Sequence, residues 1–190
     1  MANLITLAEY KEYKGINSPS KDATIESLIA RTSEYIKRFT NKTFIDFSTT
    51  DKVEYFNDIN LDWVLLAELP ILAVTAVNIS TDGGVTQTLL VEDTDYFVDN
   101  PLGKIISSSY FTTSGTEFKT VEVTYTGGYL TTPEDIKQAN LDLVAYYLDN
   151  EYTPKRQFGS NTIENMNFRE ESSINLPGHI QRILEFYREL

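Results

Sequence analysis

The chain has 190 residues, and 41% of them are hydrophobic, which is enough for one compact body with a sizeable core. Its 28 acidic and 16 basic residues leave a formal net charge of -12, which argues against tight binding to nucleic acid. No cysteine is present, so disulfides, thiolate metal sites and a cysteine nucleophile are excluded.

The N-terminus lacks the basic start and the apolar run of a signal peptide. No stretch of the sequence approaches the roughly 20 apolar residues that a membrane-spanning helix needs. We therefore expect a protein without membrane contact, made in the cytoplasm and kept there until it joins an assembly.

Two helices are predicted in the first 40 residues. Thr6 and Glu9 have the spacing of a capping box, which predicts a short helix over residues 7–14 that ends at Gly15. A longer amphipathic helix is predicted over residues 20–40, because side chains of one face recur at steps of three and four. That face consists of Ile25, Leu28, Ile29, Thr32, Tyr35, Ile36 and Phe39.

Strand character begins at residue 52, where Val53 and Tyr55 alternate with charged neighbours. A β-branched run over residues 71–80 follows and ends at a glycine-containing turn. Further strands are predicted over residues 85–90, 96–98, 104–107 and 121–125. The pattern indicates a small, mostly antiparallel sheet over residues 52–126, inserted between helices.

Two more helices and a polar segment are predicted near the C-terminus. Thr132 has the position of an N-cap and Pro133 that of the first residue in a helix over residues 133–150. Residues 155–175 are polar and show neither the helical nor the strand periodicity of apolar residues. Such a segment is typical of a mobile or partner-ordered arm. A last helix is predicted over residues 178–190.

The order of these elements predicts an α+β fold, a helical body with an inserted small β-sheet and a C-terminal arm plus helix. Residues 1–154 are expected to form the body, and residues 155–190 the arm and the closing helix. The two longest amphipathic helices need a common apolar partner, so a shared core is expected. Its predicted members are Leu28, Ile36, Leu143, Val144 and Tyr147.

Two sequence patterns were considered as metal-binding or catalytic motifs, and neither matches its motif well. His179 is the only histidine, and its place beside a helix start favours a surface histidine over a catalytic triad or a metal cluster. Residues 58–62 have the opening spacing of a calcium loop, but Trp63 and Leu69 stand where the loop needs glycine and glutamate. We therefore predict no metal site and no cofactor.

Neighbouring carboxylates such as Asp93 with Asp95, or Glu170 with Glu171, have the residue type that acid–base catalysis uses. With 28 acidic residues such pairs arise by chance, and a solvated face is the favoured interpretation. The sequence therefore predicts no catalytic residue and no enzymatic activity.

The glycine pairs and the tyrosines are also interpreted as structural features and not as binding motifs. The pairs at residues 83–84 and 127–128 lack the pattern of a phosphate-binding loop and indicate turns. The 12 tyrosines, including Tyr146 and Tyr147, are not interleaved with a dense run of basic residues as a base-stacking surface would need, which favours packing against protein.

An ordered series of segments resembles the head–tail connector (adaptor) proteins of tailed bacteriophages. The series is ELPILAVTAV at residues 68–77, DY to GKI at 95–105, VEVTYTGGY at 121–129 and PEDIKQA at 133–139. The helix at residues 25–40 is similar to the first long helix of that family, and residues 176–188 are similar to its closing helix. Residues 155–175 depart from the family's pattern.

The resemblance implies a structural virion component at the head–tail junction, active in DNA packaging and ejection. It implies a ring of identical copies, commonly twelvefold, bound to the portal protein and to a head-closure or tail protein. DNA would cross the lumen of the ring without specific binding. A ring of this kind lets an ordinary domain bury aromatic surface on two faces.

Aromatic, methionine and arginine side chains near the C-terminus are expected to contact the portal or the adjacent ring subunit, because these residue types are enriched at interfaces. The predicted partner-binding residues are Arg156, Phe158, Ile163, Met166, Phe168, Arg169, Ile183 and Tyr187. The alternative is that the arm is a flexible tether.

Three other functions stay open on the sequence. A tail-completion or baseplate subunit would share the acidic, cysteine-free and tyrosine-rich composition. A carbohydrate-processing hydrolase would need two carboxylates about 5 to 9.5 Å apart in a cleft. A host-directed binding module would be a stable monomer with one exposed apolar patch.

Overall fold

The computed structural model describes residues 2–57, 62–100, 102–108, 111, 119–151 and 176–189. In chain order the helices are α1 (Leu7–Lys14), α2 (Asp22–Thr40), α3 (Glu134–Glu151) and α4 (Gly178–Glu189). The strands are β1 (Lys52–Phe56), β2 (Trp63–Leu65), β3 (Ile71–Ile79), β4 (Thr88–Leu89), β5 (Tyr96–Asp99), β6 (Lys104–Ser107) and β7 (Val121–Gly127). The predicted α+β class is confirmed.

The chain forms two compact units. The sheet unit comprises Met1–Ala2 and Lys42–Thr132, and the helical unit comprises Asn3–Asn41 and Pro133–Leu190. The predicted insertion of the strands between helices is therefore present in the structure. The boundary predicted between residues 154 and 155 lies outside the described residues and stays a prediction.

In the helical unit, α1 has the predicted bounds because both of its ends are capped. The Thr6 hydroxyl accepts a hydrogen bond from the Glu9 amide at 3.2 Å, and the Glu9 carboxylate accepts one from the Thr6 amide at 2.6 Å. Gly15 adopts a left-handed conformation with φ 64° and ends the helix. This reciprocal capping satisfies amide groups that the first helical turn leaves unpaired.

The core of the helical unit lies where α2, α3 and α4 pack on one another. Of the five predicted core residues, Leu28, Ile36, Leu143 and Val144 are buried, and Tyr147 is half-buried beside them. A buried polar contact accompanies the apolar ones, since the Asn140 amide donates to the Ser33 hydroxyl at 3.0 Å. None of the helices in the described ranges is long and apolar enough to cross a membrane.

The sheet unit contains two antiparallel sheets rather than the one that was predicted. The four-stranded sheet has the order β1-β7-β3-β4, and the three-stranded sheet has the order β2-β6-β5. The sequence pattern missed β2, because a strand of three residues is too short to show a period. The predicted strand over residues 85–90 is reduced to β4, because the Asp82 carboxylate binds the Thr86 amide at 2.7 Å and extends the turn.

The central strand β7 determines which side chains face the core of the sheet unit. Val121, Val123 and Tyr125 alternate inward and are buried. In the neighbouring β1 the predicted alternation is present, but Val53 and Tyr55 are exposed at 45% and 46%. The alternating charged residues, Lys52 and Glu54, face inward. Their charges therefore need partners inside the unit.

Leu143→Ala should lower the free energy of unfolding by about 2 to 5 kcal/mol, because Leu143 is fully buried and its truncation leaves a cavity. Chemical denaturation monitored by circular dichroism measures the change. Leu130→Ala is the matched control, since Leu130 is 72% exposed and should change stability by less than about 0.5 kcal/mol. Equal effects of both substitutions would contradict the described core.

Candidate functional site

The residues considered for catalysis or metal binding are not assembled into a site. Among the described residues, no group of three or more histidine, aspartate or glutamate side chains could hold a metal ion. The His179 ring is 61% exposed, and its Nε2 lies 3.2 Å from the Asp142 carboxylate. Residues 58–61 of the rejected calcium pattern lie outside the described residues.

The Asp93–Asp95 carboxylate pair belongs to a tight turn. The Asp95 carboxylate accepts a hydrogen bond from the Val91 amide at 2.8 Å, and Asp93 adopts a positive φ of 63°. Asp95 therefore holds the backbone of the turn. Glu170 and Glu171 lie outside the described residues.

A polar cluster lies in the sheet unit and joins β1, β7 and the segment before β3; Glu68 and Tyr125 are buried in it, and Lys52 and Glu54 are half-buried. The Lys52 ammonium lies 2.8 Å from the Glu54 carboxylate and 3.1 Å from the Glu68 carboxylate. The Tyr125 hydroxyl donates to Glu54 at 2.7 Å and accepts from the Glu68 amide at 3.0 Å. The Thr43 amide donates to the second carboxylate oxygen of Glu68 at 3.3 Å.

Burial and hydrogen bonding shift the pKa values in this cluster. Burial raises the pKa of the Tyr125 hydroxyl, and its bond to Glu54 raises it further, although the Glu68 amide opposes the shift. Burial alone lowers the pKa of Lys52, but the hydrogen bonds and charges of Glu54 and Glu68 outweigh it and the net shift is upward. Tyr125 therefore stays neutral and Lys52 stays charged at neutral pH.

The contacts of this cluster indicate a structural role and not a role in acid–base catalysis. Both carboxylates are bound by the same ammonium group, and Tyr125 and backbone amides satisfy their remaining oxygens. Such pairing and hydrogen bonding offset part of the cost of removing these charges from water. Sequence reasoning missed this cluster, because Lys52, Glu54 and Glu68 look like surface residues until their strands are paired.

The same region brings two segments of the sequence resemblance, residues 68–77 and 121–129, into contact. The Gly128 amide donates to the Pro70 carbonyl at 2.9 Å, and the Tyr129 amide donates to the Phe44 carbonyl at 2.7 Å. A side chain at Gly128 would place its Cβ in collision with the Phe44 carbonyl oxygen, and the backbone there has φ 94°. Gly127 is the last residue of β7, and the chain bends at Gly128, where the backbone lies against Phe44.

Only two of the predicted partner-binding residues lie in the described part of the chain. Ile183 is half-buried on α4. Tyr187 is 7% exposed, and its hydroxyl donates to the Asp135 carboxylate at 2.9 Å within the helical unit. The residues outside the described ranges are Arg156, Phe158, Ile163, Met166, Phe168 and Arg169.

A second group of interface-type residues lies on α2 and α4. We call it the arginine face, and it consists of Arg31, Tyr35, Arg38, Phe39 and Arg188. The three arginines are exposed, and the two aromatic rings are half-buried with their centres 6.2 Å apart. Arg188 lies over the Phe39 ring, 5.8 Å from its centre. The spacing of Arg31, Tyr35 and Arg38 on one helix could have revealed this face from the sequence.

Comparison with protein families finds one family model that matches nearly the whole chain. A family model described as head completion protein (HCP) matches residues 3–190. A search of curated protein sequences finds no match.

Two similar solved chains come from the neck of a gene transfer agent (GTA) particle. One, from the neck of the empty particle computed with C6 symmetry, is 18% identical with a TM-score of 0.61, covering 97% of this chain and 89% of that chain. The other, from the neck of the native particle computed with C12 symmetry, is 18% identical with a TM-score of 0.56, covering 99% and 94%. At this identity the likeness shows a shared fold.

Tyr125→Phe should lower the free energy of unfolding by about 1 to 3 kcal/mol, because the Glu68 amide loses its acceptor in a buried place. Urea denaturation at neutral pH measures the loss. Tyr55→Phe is the matched control on the exposed face of β1, where the change should stay below about 0.5 kcal/mol.

The pH dependence gives this prediction a second readout. Tyr125 and Lys52 bind their protons more tightly in the folded chain, so their stabilisation is complete below their ordinary pKa values and is lost as pH rises above about 10. Tyr125→Phe removes one of these groups and should make the alkaline loss less steep. An unchanged stability and an unchanged alkaline profile would show that the hydroxyl contributes nothing.

Proposed function

Because this chain belongs to the head completion protein family, we propose that it is a ring-forming subunit at the junction between the head and the tail of a phage-like particle. The family match confirms the resemblance to phage connector proteins and the structural role in a particle that the sequence predicted. The ring, its neighbours in the particle and the passage of DNA are the proposed part.

The observation that supports this location most is the likeness along nearly the whole chain to chains from particle necks, with 97% of this chain covered at a TM-score of 0.61. Those necks were computed with C6 and C12 symmetry. Copies of one chain close into a ring when one surface of each copy binds a different surface of the next copy. We infer a ring of twelve copies, bound to the portal protein on one side and to a head-closure or tail protein on the other.

The charge distribution suits a channel for DNA that does not bind it. The sheet unit contains four basic and 13 acidic residues, a formal charge of -9, whereas the helical unit contains 12 basic and 15 acidic residues, a formal charge of -3. Acidic surfaces repel phosphates and prevent DNA from adhering. DNA crossing the lumen would therefore pass without specific contacts.

A ring subunit of this kind needs no catalytic group. The carboxylates of Glu54, which is half-buried, and of Glu68, which is buried, are both held by Lys52 and are not arranged as a free acid and base. We therefore infer a non-enzymatic protein whose function consists of positioning its neighbours.

The partner-binding role of the arm and the closing helix stays a proposal. Residues 155–175 hold arginine, methionine and phenylalanine side chains interrupted by polar residues. A segment of this composition can order on a neighbouring protein at a lower affinity for each unit of buried area. We infer that it contacts the portal or the adjacent subunit.

The purified protein mixed with portal-bearing heads should sediment with them and appear as a ring at the portal in electron micrographs. Heads assembled without portal are the control and should bind no protein. The mass of the protein alone, measured by sedimentation, shows whether the ring forms before docking. A protein that stays monomeric and binds neither kind of head would contradict the proposed function.

Deleting residues 156–175 and joining the ends should leave the helical unit folded by circular dichroism and abolish sedimentation with portal-bearing heads. The matched control replaces the same residues by a glycine–serine segment of equal length, which keeps the reach of the chain but removes its side chains. Both variants should fail to bind if the arm docks by its side chains. Binding of either variant at the level of the unchanged protein would make the arm a tether.

A further inference from the structure

The three-stranded sheet β2-β6-β5 is apolar on both of its faces. On the inner face Val64, Ile105 and Tyr96 are buried in the core of the sheet unit. Side chains alternate between the two faces of a strand, so the residues next to these three point to the outer face. An antiparallel sheet with one face in water carries mostly polar side chains on that face. The outer face of this sheet departs from that rule.

We call this outer face the tryptophan face, and it consists of Trp63, Leu65, Phe97, Lys104 and Ile106. The strand register places Trp63, Ile106 and Phe97 side by side across the three strands. Leu65 is 52% exposed and Phe97 is 46% exposed. The Lys104 ammonium lies 4.5 Å from the centre of the Trp63 ring, so both side chains occupy the same face. Four of the five side chains are therefore apolar, and the single tryptophan of the chain is among them.

Such a face suits a protein partner better than solvent. A sheet that is apolar on both faces needs a layer of structure on each side. The exposure of Leu65 and Phe97 shows that the outer layer is incomplete in the single chain. Exposed apolar patches mark interaction sites, and tryptophan is enriched among the residues that contribute most to binding. We therefore expect another polypeptide to cover the tryptophan face.

Acidic residues lie at the ends of the strands that form this face. Asp62 immediately precedes β2 and is exposed, and the exposed Glu92 and Asp93 precede β5 in the chain. Asp99 ends β5 and lies opposite Lys104 in the strand register. Because the sheet unit has a formal charge of -9, two copies of this face would repel each other. The complementary surface therefore combines apolar side chains with basic ones.

The exposed apolar side chains of the helical unit differ in their charged surroundings. Among its described residues, three large apolar or aromatic side chains are exposed, namely Tyr13, Tyr146 and Phe186. Tyr13 lines a depression together with three glutamates and one lysine, and its hydroxyl donates to the Asp142 carboxylate at 2.7 Å. Tyr146 has an aspartate one helical turn away on each side. Both tyrosines therefore lie in mainly acidic surroundings, which do not complement the tryptophan face.

Phe186 lies beside a basic side chain instead. It is 61% exposed on α4, and Arg182 is exposed one helical turn before it. Both line an open depression together with His179, Ile183 and Asp135. The carboxylate of Asp135, the one acidic residue there, already accepts a hydrogen bond within the helical unit. We call Arg182, Ile183 and Phe186 the α4 face, and it combines the apolar and basic side chains that the tryptophan face requires.

We propose that the α4 face of one copy packs on the tryptophan face of a second copy. Phe186 and Ile183 cover the apolar row of the sheet, and Arg182 meets the acidic strand ends. The two surfaces are different, so the contact is of the kind that repeats from copy to copy in a ring. This inference rests on the proposed function, because it assigns the contact that holds the ring together. It places Ile183, which the sequence predicts to bind a partner, against the adjacent subunit.

Leu65→Thr with Phe97→Thr removes apolar area from the tryptophan face and keeps a residue type that suits strands. Self-association of the full chain, measured by sedimentation, should weaken by about tenfold or more, because the centre of the contact is lost. The matched control is Leu72→Thr with Leu89→Thr, which changes two exposed strand residues of the four-stranded sheet. The control should associate like the unchanged protein, and both variants should keep the same circular dichroism.

Trp63 provides a direct readout of the contact, because it is the only tryptophan of the chain. Its fluorescence emission should shift to shorter wavelength, and acrylamide should quench it less, when the unchanged protein self-associates. The shift should be absent in Phe186→Ala with Arg182→Glu, a variant that places good helix-forming residues on α4. Rings that form without a change in Trp63 emission overturn the inference and leave the proposed function standing.

Mixing the two altered proteins tests whether the two faces bind each other. The Leu65→Thr, Phe97→Thr protein keeps an intact α4 face, and the Phe186→Ala, Arg182→Glu protein keeps an intact tryptophan face. Each should stay monomeric alone at concentrations where the unchanged protein forms rings. The mixture should form pairs of chains that grow no further, because each pair has only one intact contact. A mixture that forms no pairs overturns the inference.

The outcomes on portal-bearing heads separate this inference from the proposed function. Lower occupancy of both altered proteins than of the control supports the inference, also where rings form only on heads. If the altered proteins form rings on heads like the unchanged protein, the inference is overturned and the proposed function stands. The same holds if those rings lose only the head-closure or tail protein, which then is the occupant of the tryptophan face. An unchanged protein that associates neither in solution nor on heads overturns both.

Discussion

The ammonium group of Lys52 lies between the buried carboxylate of Glu68 and the half-buried carboxylate of Glu54, and the arrangement of the sheet unit depends on this contact. A carboxylate such as that of Glu68, which is 3% exposed, is costly to bury unless a cation and hydrogen-bond donors accompany it. Sliding β1 by one residue would turn Lys52 outward and leave Glu68 without its cation. The cluster therefore selects the register of β1 on β7 and connects both strands to the segment that leads into β3.

This constraint also explains the surface of the sheet unit. Because Lys52 and Glu54 take the inner face of β1, Val53 and Tyr55 must take the outer face. The exposed apolar side chains are thus a consequence of the buried charges and not evidence of poor packing. An assembly protein can use such surface, since apolar groups that are exposed in one copy become available for contact with neighbours.

Charge is divided unequally between the two units, with a formal -9 on the sheet unit and -3 on the helical unit. In the helical unit Lys11, Lys14 and Lys137 lie beside carboxylates of the same unit, Arg38 lies 4.0 Å from the Glu34 carboxylate, and Arg188 lies over the Phe39 ring. Most of the net negative charge therefore lies on the sheet unit. A net negative charge of this size disfavours binding of nucleic acid.

The sequence alone determined the helices, the class of the fold and the family, because capping residues, helical periodicity and glycine turns are local signals. Thr6 with Glu9 defined α1, and the apolar stripe containing Leu28 and Ile36 defined α2. The sequence alone could not determine that Lys52 faces inward, that Trp63–Leu65 forms a strand or that the Phe39 ring contacts Arg188. Each of these depends on a partner distant in the chain, so only the tertiary structure decided them, by bringing a charge, a strand or a ring within contact distance.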